Sequence, residues 1–487
     1  MALWRIRTRC EHLRPATLYK VLAALAEMKG QFGPDAARRT AALLERATHA
    51  RLRDPADLIR LHEVVLYLRA YPQSPRVLRL ADKILFSFAD RLRRVDRDPL
   101  EDPEISGIAG AGLSTNFSYD VAQSLAARYP LHIDWENYEH SDRLGPVLAR
   151  LIPLAGEYAA VEPHVDWRYW FERARGTVKW LLAHVDRQTY DLLEVPLRWE
   201  LGDSFATRSR TRILRRRIYY HRSPFLKRSE ISLDREFAAP KTTMTRIARP
   251  QKILNTILDT SAVRYRELWG FTHPDAAHVY HADFGRGVDF YFFGVPPEWR
   301  LPLRAYHAGM FFKNGVPIGY VEGLSLFERM EVGFNLYYTF REGETAWLYA
   351  QILKIFREQL GVTCYSVDPY QLGHENDEAI DSGAFWFYRK LGFRSTSKKL
   401  TALIEREESR IGANREYRTP PATLRRLAEA PLIYGGGEEW DHFDLRKLPL
   451  NPRVPPGKHA PEESRYLRGM QHDRKLWRQL LMTRDKS

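Results

Sequence analysis

The chain has 487 residues, 44% hydrophobic and 12% aromatic, which excludes a disordered polymer and supplies apolar surface for two or three packed domains. Lysine and arginine number 75 against 61 acidic residues, a net charge of +14 that favours polyanionic partners and equally describes a solvated basic surface. Two cysteines, Cys10 and Cys364, exclude a disulfide framework and a multi-cysteine zinc site.

The stretch up to about residue 235 reads as an all-helical domain. "TLYKVLAALAEMKG", "DAARRTAALLERATHARL", "DLIRLHEVVLYLRAYP" and "SPRVLRLADKILFSFADRLRRV" carry apolar residues at helical spacing, bounded by Gly30, Pro72 and a Ser-Pro start. "NFSYDVAQSLAARYP", "LGPVLARLIPLAGEYA" and "WRYWFERARGTVKWLLAHV" continue the pattern. The glycine-rich "GIAGAGLSTN" follows an acidic, proline-containing stretch instead of a strand, so it reads as a helix connector and not as a dinucleotide fingerprint. Between Arg208 and Arg222, "RSRTRILRRRIYYHR" sets arginines beside tyrosines. That composition suits phosphate contact and base stacking, and suits equally a basic face over acidic neighbours.

From about residue 236 the pattern becomes mixed. "HVYHADF" and "VDFYFFGV" flank Gly285–Gly287, and two further apolar runs flank Asn314-Gly315, both hairpin signals. "MEVGFNLYYTF" is a strand, "REGETAWLYAQILKIFREQLG" a helix, "VTCYSV" a strand, "EAIDSGAFWFYRKLG" a helix, and "FRSTS" begins a last strand. After residue 400 the chain is basic and proline-containing ("TPPAT", "NPRVPPGKHAP"), with a short helix in "RYLRGMQHDRKLWRQLLM". The expected fold class is α+β: a helical domain over 1–235, a mixed-sheet domain over 236–400 and a polar extension over 401–487. The N-terminus lacks the apolar core of a signal peptide, and no apolar run reaches the ~18 residues of a transmembrane helix, so the expectation is a cytoplasmic protein.

Two stretches carry chemistry. "REGETA", Arg341–Ala346, lies between a strand and a helix, where free amides and the helix dipole favour an anion. Gly343 permits close backbone approach and Thr345 could cap the helix, while Glu342 and Glu344 also suit a first turn. "FYRKLGF", Phe387–Phe393, closes a helix dense in aromatics. Together these resemble the GNAT superfamily of N-acetyltransferases, whose loop runs Gln or Arg, two residues, Gly, one residue, Gly or Ala. Arg341 and Ala346 match, Glu344 stands at the central glycine, and Gly343 falls one place early.

The resemblance implies that Arg341, Gly343, Glu344, Thr345 and Ala346 hold the diphosphate of acetyl-CoA or another acyl-CoA. Asn376 would help hold the cofactor arm, and Tyr388 would donate a proton to the departing thiolate. A carboxylate on a central strand would serve as base: Glu331 is the first choice, with Glu322 and His307 as alternatives. The histidines and aspartates of "HPDAAHVYHADF" are read as structural, so no metal is expected. The implied function is transfer of an acyl group to an unidentified amine. Two alternatives stay open: a GNAT-fold transferase fed by aminoacyl-tRNA, and a non-catalytic GNAT-like module binding protein or nucleic acid, the latter through Arg208–Arg222.

Overall fold

The computed structural model describes residues 15–441, apart from 51, 94, 104, 415, 438 and 439; Cys10, the "NPRVPPGKHAP" linker and the expected last helix lie outside the described residues. Helices Pro15–Met28, Pro34–Thr48, Pro55–Ala70 and Pro75–Phe86 fall where the periodicity puts them. Each opens on proline, whose missing N–H would have had no helical partner. Asp54 and Ser74 cap the third and fourth by accepting from Ala56 N (2.8 Å) and Val77 N (3.3 Å).

The N-terminal region is not all helical. Strands β1 (Gly112–Asn116), β2 (His132–Ile133) and β3 (Pro196–Glu200) form an antiparallel sheet in the order β1-β3-β2. "GIAGAGLSTN" therefore ends in a strand and does not merely connect helices. Its Gly, Ser, Thr and Asn carry no apolar alternation, so only pairing with a distant partner makes it a strand. Leu113, Leu197 and Trp199 bury in a core of their own, joined by Leu258, Ala262 and Val263. Pro153 splits "LGPVLARLIPLAGEYA" into Leu144–Leu151 and Pro153–Val161. Among the described residues no single helix is long and apolar enough to cross a membrane; Ser141–Leu151 with Pro153–Val161 reaches that length only as a pair bent by 119°.

Among the described residues the large sheet has nine strands: β4 (Met244–Arg246), β5 (Tyr280–Gly285), β6 (Val288–Gly294), β7 (Ala305–Lys313), β8 (Val316–Leu326), β9 (Arg329–Leu336), β10 (Cys364–Val367), β11 (Arg394–Ser395) and β12 (Leu432–Gly435). Their order is β11-β12-β10-β9-β8-β7-β6-β5-β4. Every neighbouring pair is antiparallel except β9 and β10, which run parallel and are joined by helix Thr345–Leu360. The β7–β8 hairpin turns on Asn314 and Gly315, both at positive φ (48° and 84°), the geometry that the Asn-Gly pair selects.

The described residues after 400, up to 441, are built into the large sheet. Helices Thr401–Ala413 and Pro421–Leu427 lead into β12, which inserts between β10 and β11. Trp386 anchors that return: its indole N–H donates to Thr419 Oγ1 at 3.0 Å in a buried contact. Nor does packing divide at residue 235. One core takes in Leu25 and Leu61 from the first helices, Phe311, Val321 and Val332 from the sheet, and Ile352 and Phe356 from the crossover helix.

Candidate active site

The site grows out of the single parallel pair. β9 and β10 are paired only at Arg329–Glu331 with Cys364–Ser366. β9 then continues to Leu336 along β8, while β10 ends at Val367. The two strands part, and a cavity of about 460 Å³ opens between them. One β9 amide freed by the parting, Phe334 N, donates to Gln371 Oε1 at 3.3 Å.

Two faces of the sheet meet in this cavity. On the face of helix Thr345–Leu360 it is lined by Arg341, Thr345, Asn376, Phe387 and Tyr388. The first intrahelical bond runs from Leu348 N to Glu344 O (3.0 Å), which leaves the amides of Thr345, Ala346 and Trp347 without a helical partner at the positive end of the dipole. Thr345 Oγ1 donates to Arg341 O (3.0 Å). The Arg341 guanidinium donates to Leu336 O (3.3 Å) and pairs with Glu378. Tyr388 is 5% exposed, edge-on to Tyr349 at 5.5 Å, and its hydroxyl makes no hydrogen bond to the described residues. Burial pushes the phenol up, so it stays protonated at neutral pH.

Asn376 also lines the cavity, but both ends of its amide are engaged. It accepts from Ala379 N (3.2 Å) as the cap of helix Asp377–Ser382 and donates to Tyr370 O (3.1 Å). The other loop residues expected at a diphosphate lie away from the cavity. Ala346 is buried in the core. Glu344 is 4% exposed and turns inward, where Arg286 Nε donates to it at 2.9 Å, Leu226 N at 3.2 Å, and Lys313 Nζ lies at 3.7 Å. Gly343 is required by a neighbour: a Cβ there would stand 2.5 Å from the Tyr71 hydroxyl. Lys29 pairs with Glu342 at 2.8 Å, and the Thr339 hydroxyl donates to Glu63, so the N-terminal helices grip the loop from behind.

Beneath that grip lies a buried polar cluster. Lys313 is 1% exposed, between the rings of Tyr71 and Tyr219, and burial lowers its amine to about 7 against the pull of Glu344. His221 packs on Tyr71, Tyr219 and Phe225, and neither ring nitrogen is bonded to the described residues; burial first, then the charges of Lys313 and Arg286, lower it to about 2.

The opposite face, beside helix Gln251–Ala262, contributes Arg266, Tyr320, Glu322 and Asn335. Glu322 on β8 stands opposite Gly333 on β9, whose missing side chain leaves the carboxylate open to the cavity. Burial raises its carboxyl, offset by a hydrogen bond donated by the Tyr306 hydroxyl. Asn335 Nδ2 donates to the Tyr320 hydroxyl at 3.0 Å. Glu331 does not reach the cavity: it takes an ion pair from Arg304 (3.4 Å). His307 is tied to Ser325 Oγ at 2.9 Å, stacked on Phe292, and lowered to about 4 by burial.

Part of the arginine segment serves the fold. Arg208 donates both to Glu63 (2.8 and 2.9 Å) and to Ile105 O (2.7 Å), Arg210 pairs with Asp203, and Arg215 pairs with Asp289 and Asp283. The histidine-rich stretch is likewise dispersed: His278 bonds Asp275 (2.8 Å), His281 bonds Asp289 (2.9 Å), and His273 stacks on Trp299. Among the described residues no three His, Cys, Asp or Glu side chains converge on a metal position.

Arg266, Tyr320 and Gln371 are cavity residues that sequence reasoning missed. Tyr320-x-Glu322 was readable as one face of a strand; Arg266 follows a distant helix and carries no local signal. Comparison with family models, curated proteins and solved structures gives no match.

Proposed function

We propose that the chain is a GNAT-type N-acyltransferase that moves an acyl group from acetyl-CoA or another acyl-CoA to an amine. The observation that carries this is the unbonded Tyr388 hydroxyl in the cavity between β9 and β10, with a helix start on one face and Glu322 on the other. The residues fit the coenzyme. Thr345 and the first-turn amides offer an anion site, Phe387 and Leu336 offer apolar wall, and the carboxylates nearest the helix start are paired. Glu344 is turned inward, Glu342 is paired with Lys29, and Glu378 with Arg341.

When bound, the coenzyme supplies a thioester-activated acyl group. Glu322 accepts the proton that the acceptor amine must lose before its nitrogen can bond the acyl carbon, and burial raises its carboxyl, which makes it the stronger base. Tyr388 gives its phenolic proton to the sulfur as the carbon–sulfur bond breaks, and regains one from solvent. Gln371, bonded to Phe334 N, steadies the opened edge of β9.

The other two readings draw less support. Arg208, Arg210 and Arg215 are committed to acids of this chain, which weakens a nucleic-acid surface over Arg208–Arg222. A cytoplasmic location belongs to the proposal and rests on the low cysteine count. Acetyl-CoA at 100 times its Kd should raise stability by about 2.7 kcal/mol, read as a rise in Tm. No rise at millimolar acetyl-CoA refutes the proposal.

A further inference from the structure

The acyltransferase reading leaves the acceptor undefined, and the inference here rests on that reading. The charges that line the cavity are Arg266, Glu322, Arg341 and Glu378. Arg341 and Glu378 neutralise each other on the face of helix Thr345–Leu360. Glu322 and Arg266 remain on the opposite face, the one open to an acceptor. Arg266 is exposed, and its guanidinium has no hydrogen bond or ion pair with the described residues.

A solvated surface arginine would look the same were its base not held so firmly. Arg266 N donates to Ser261 O at 3.0 Å. The preceding Tyr265 is in the left-handed region (φ 54°), and its hydroxyl donates to Glu101 O at 3.0 Å. The following Glu267 accepts from Ser118 N at 2.9 Å. The backbone is thus fixed on both sides while the guanidinium alone stays free at the cavity wall. Arg266 and Glu322 also act on one group, the Tyr320 hydroxyl, whose ionisation the first favours and the second opposes. Both charges therefore lie within electrostatic reach of the same point in the cavity.

A free guanidinium and a base that share one wall of the cavity match a molecule with a carboxylate and an amine close together. We infer that the acceptor is an amino acid: Arg266 binds its carboxylate through paired N–H donors, and Glu322 takes the proton from its ammonium nitrogen. The carboxylate contact fixes the nitrogen before attack, so Arg266 determines specificity and Tyr388 and Glu322 carry the chemistry. An amine without the carboxylate leaves the guanidinium unpaired and the nitrogen unplaced.

The test uses the full chain, acetyl-CoA, and release of free thiol with a panel of amino acids and their carboxamides. For the best substrate, the acid should exceed its amide by about 10–100-fold in kcat/KM, the range of a charge-assisted contact. Arg266→Gln should erase that preference by raising KM for the acid, with KM for acetyl-CoA unchanged, and Arg266→Lys should restore part of it. Equal use of acid and amide overturns the inference, as does a preference that survives Arg266→Gln. A change confined to acetyl-CoA KM also overturns it, since the arginine would then serve the coenzyme. If acetyl-CoA raises Tm but no amino acid is acylated, the inference falls while the acyltransferase reading stands. If acetyl-CoA does not raise Tm, both fall.

Discussion

Gly343→Ala tests how the loop before the crossover helix is held. The new Cβ would stand 2.5 Å from Tyr71 Oη and 2.8 Å from its Cζ, with Phe340 O at 3.1 Å. Tyr71 has little room to yield. It is 5% exposed, stacked on Tyr67 at 4.8 Å, flanked by His221 at 5.2 Å and Phe225 at 5.3 Å, and faced by the Lys313 ammonium at 4.8 Å. The loop must therefore move. Overpacking costs about 1–3 kcal/mol, and the reduced freedom of the unfolded chain returns about 0.4–1, leaving a net loss of roughly 0.5–2 kcal/mol. Urea denaturation reads this as a lower midpoint at unchanged slope. A double-mutant cycle with Tyr71→Leu, which removes both clashing atoms, should show coupling of at least about 0.5 kcal/mol. An unchanged midpoint in Gly343→Ala, or strictly additive costs in the cycle, refutes the reasoning.

Tyr388→Phe should cut turnover at least about 100-fold with little change in KM for acetyl-CoA; turnover at the wild-type rate removes the proton-donor role. Glu344→Gln strips Lys313 and Arg286 of their carboxylate and should destabilise by about 3–5 kcal/mol in denaturant melts, and a loss under 1 would show the cluster to be wet. The Lys313 amine is near 7 folded and 10.5 unfolded, so the unfolded chain binds more protons in that window and stability climbs as pH rises from 7 toward 10.5. His221, near 2 folded and 6.5 unfolded, makes stability fall as pH drops from 6.5 toward 2. His221→Phe should flatten that acid limb and, by removing two unbonded ring nitrogens, raise the midpoint at pH 7; an unaltered acid limb would count against the aromatic cage.

What was legible in the sequence was what local physics decides. The first four helices were visible in their periodicity and proline starts, and the β7–β8 turn in Asn314-Gly315. Arg341, Thr345, Asn376 and Tyr388 could be named in advance because the loop and the aromatic helix end are contiguous stretches, and the fold brings all four to one cavity. The rest depended on pairing or burial across long distances. β3 has three residues of five buried in no alternating pattern, so only its pairing with β1 and β2 makes it a strand. Glu344 could not be told from an exposed first-turn acid until Arg286, in the β5–β6 turn, and Lys313, at the end of β7, were seen to claim it. On paper Glu331 stood ahead of Glu322, and the register that sets Glu322 opposite Gly333 reverses that order.

The insertion of β12 has a consequence for synthesis of the chain. β10 is buried along its whole length, yet on one side its hydrogen-bonding partner is β12, made some sixty residues later. β11 spans only Arg394–Ser395, and among the described residues its strand partner is β12. A ribosome that has released β10 has therefore exposed a bare apolar strand edge, the sort that recruits other chains, until residue 435 is free to fold back. Released chains truncated between 400 and 430 should leave this edge of β10 bare and aggregate, whereas those ending at 441 should cover it.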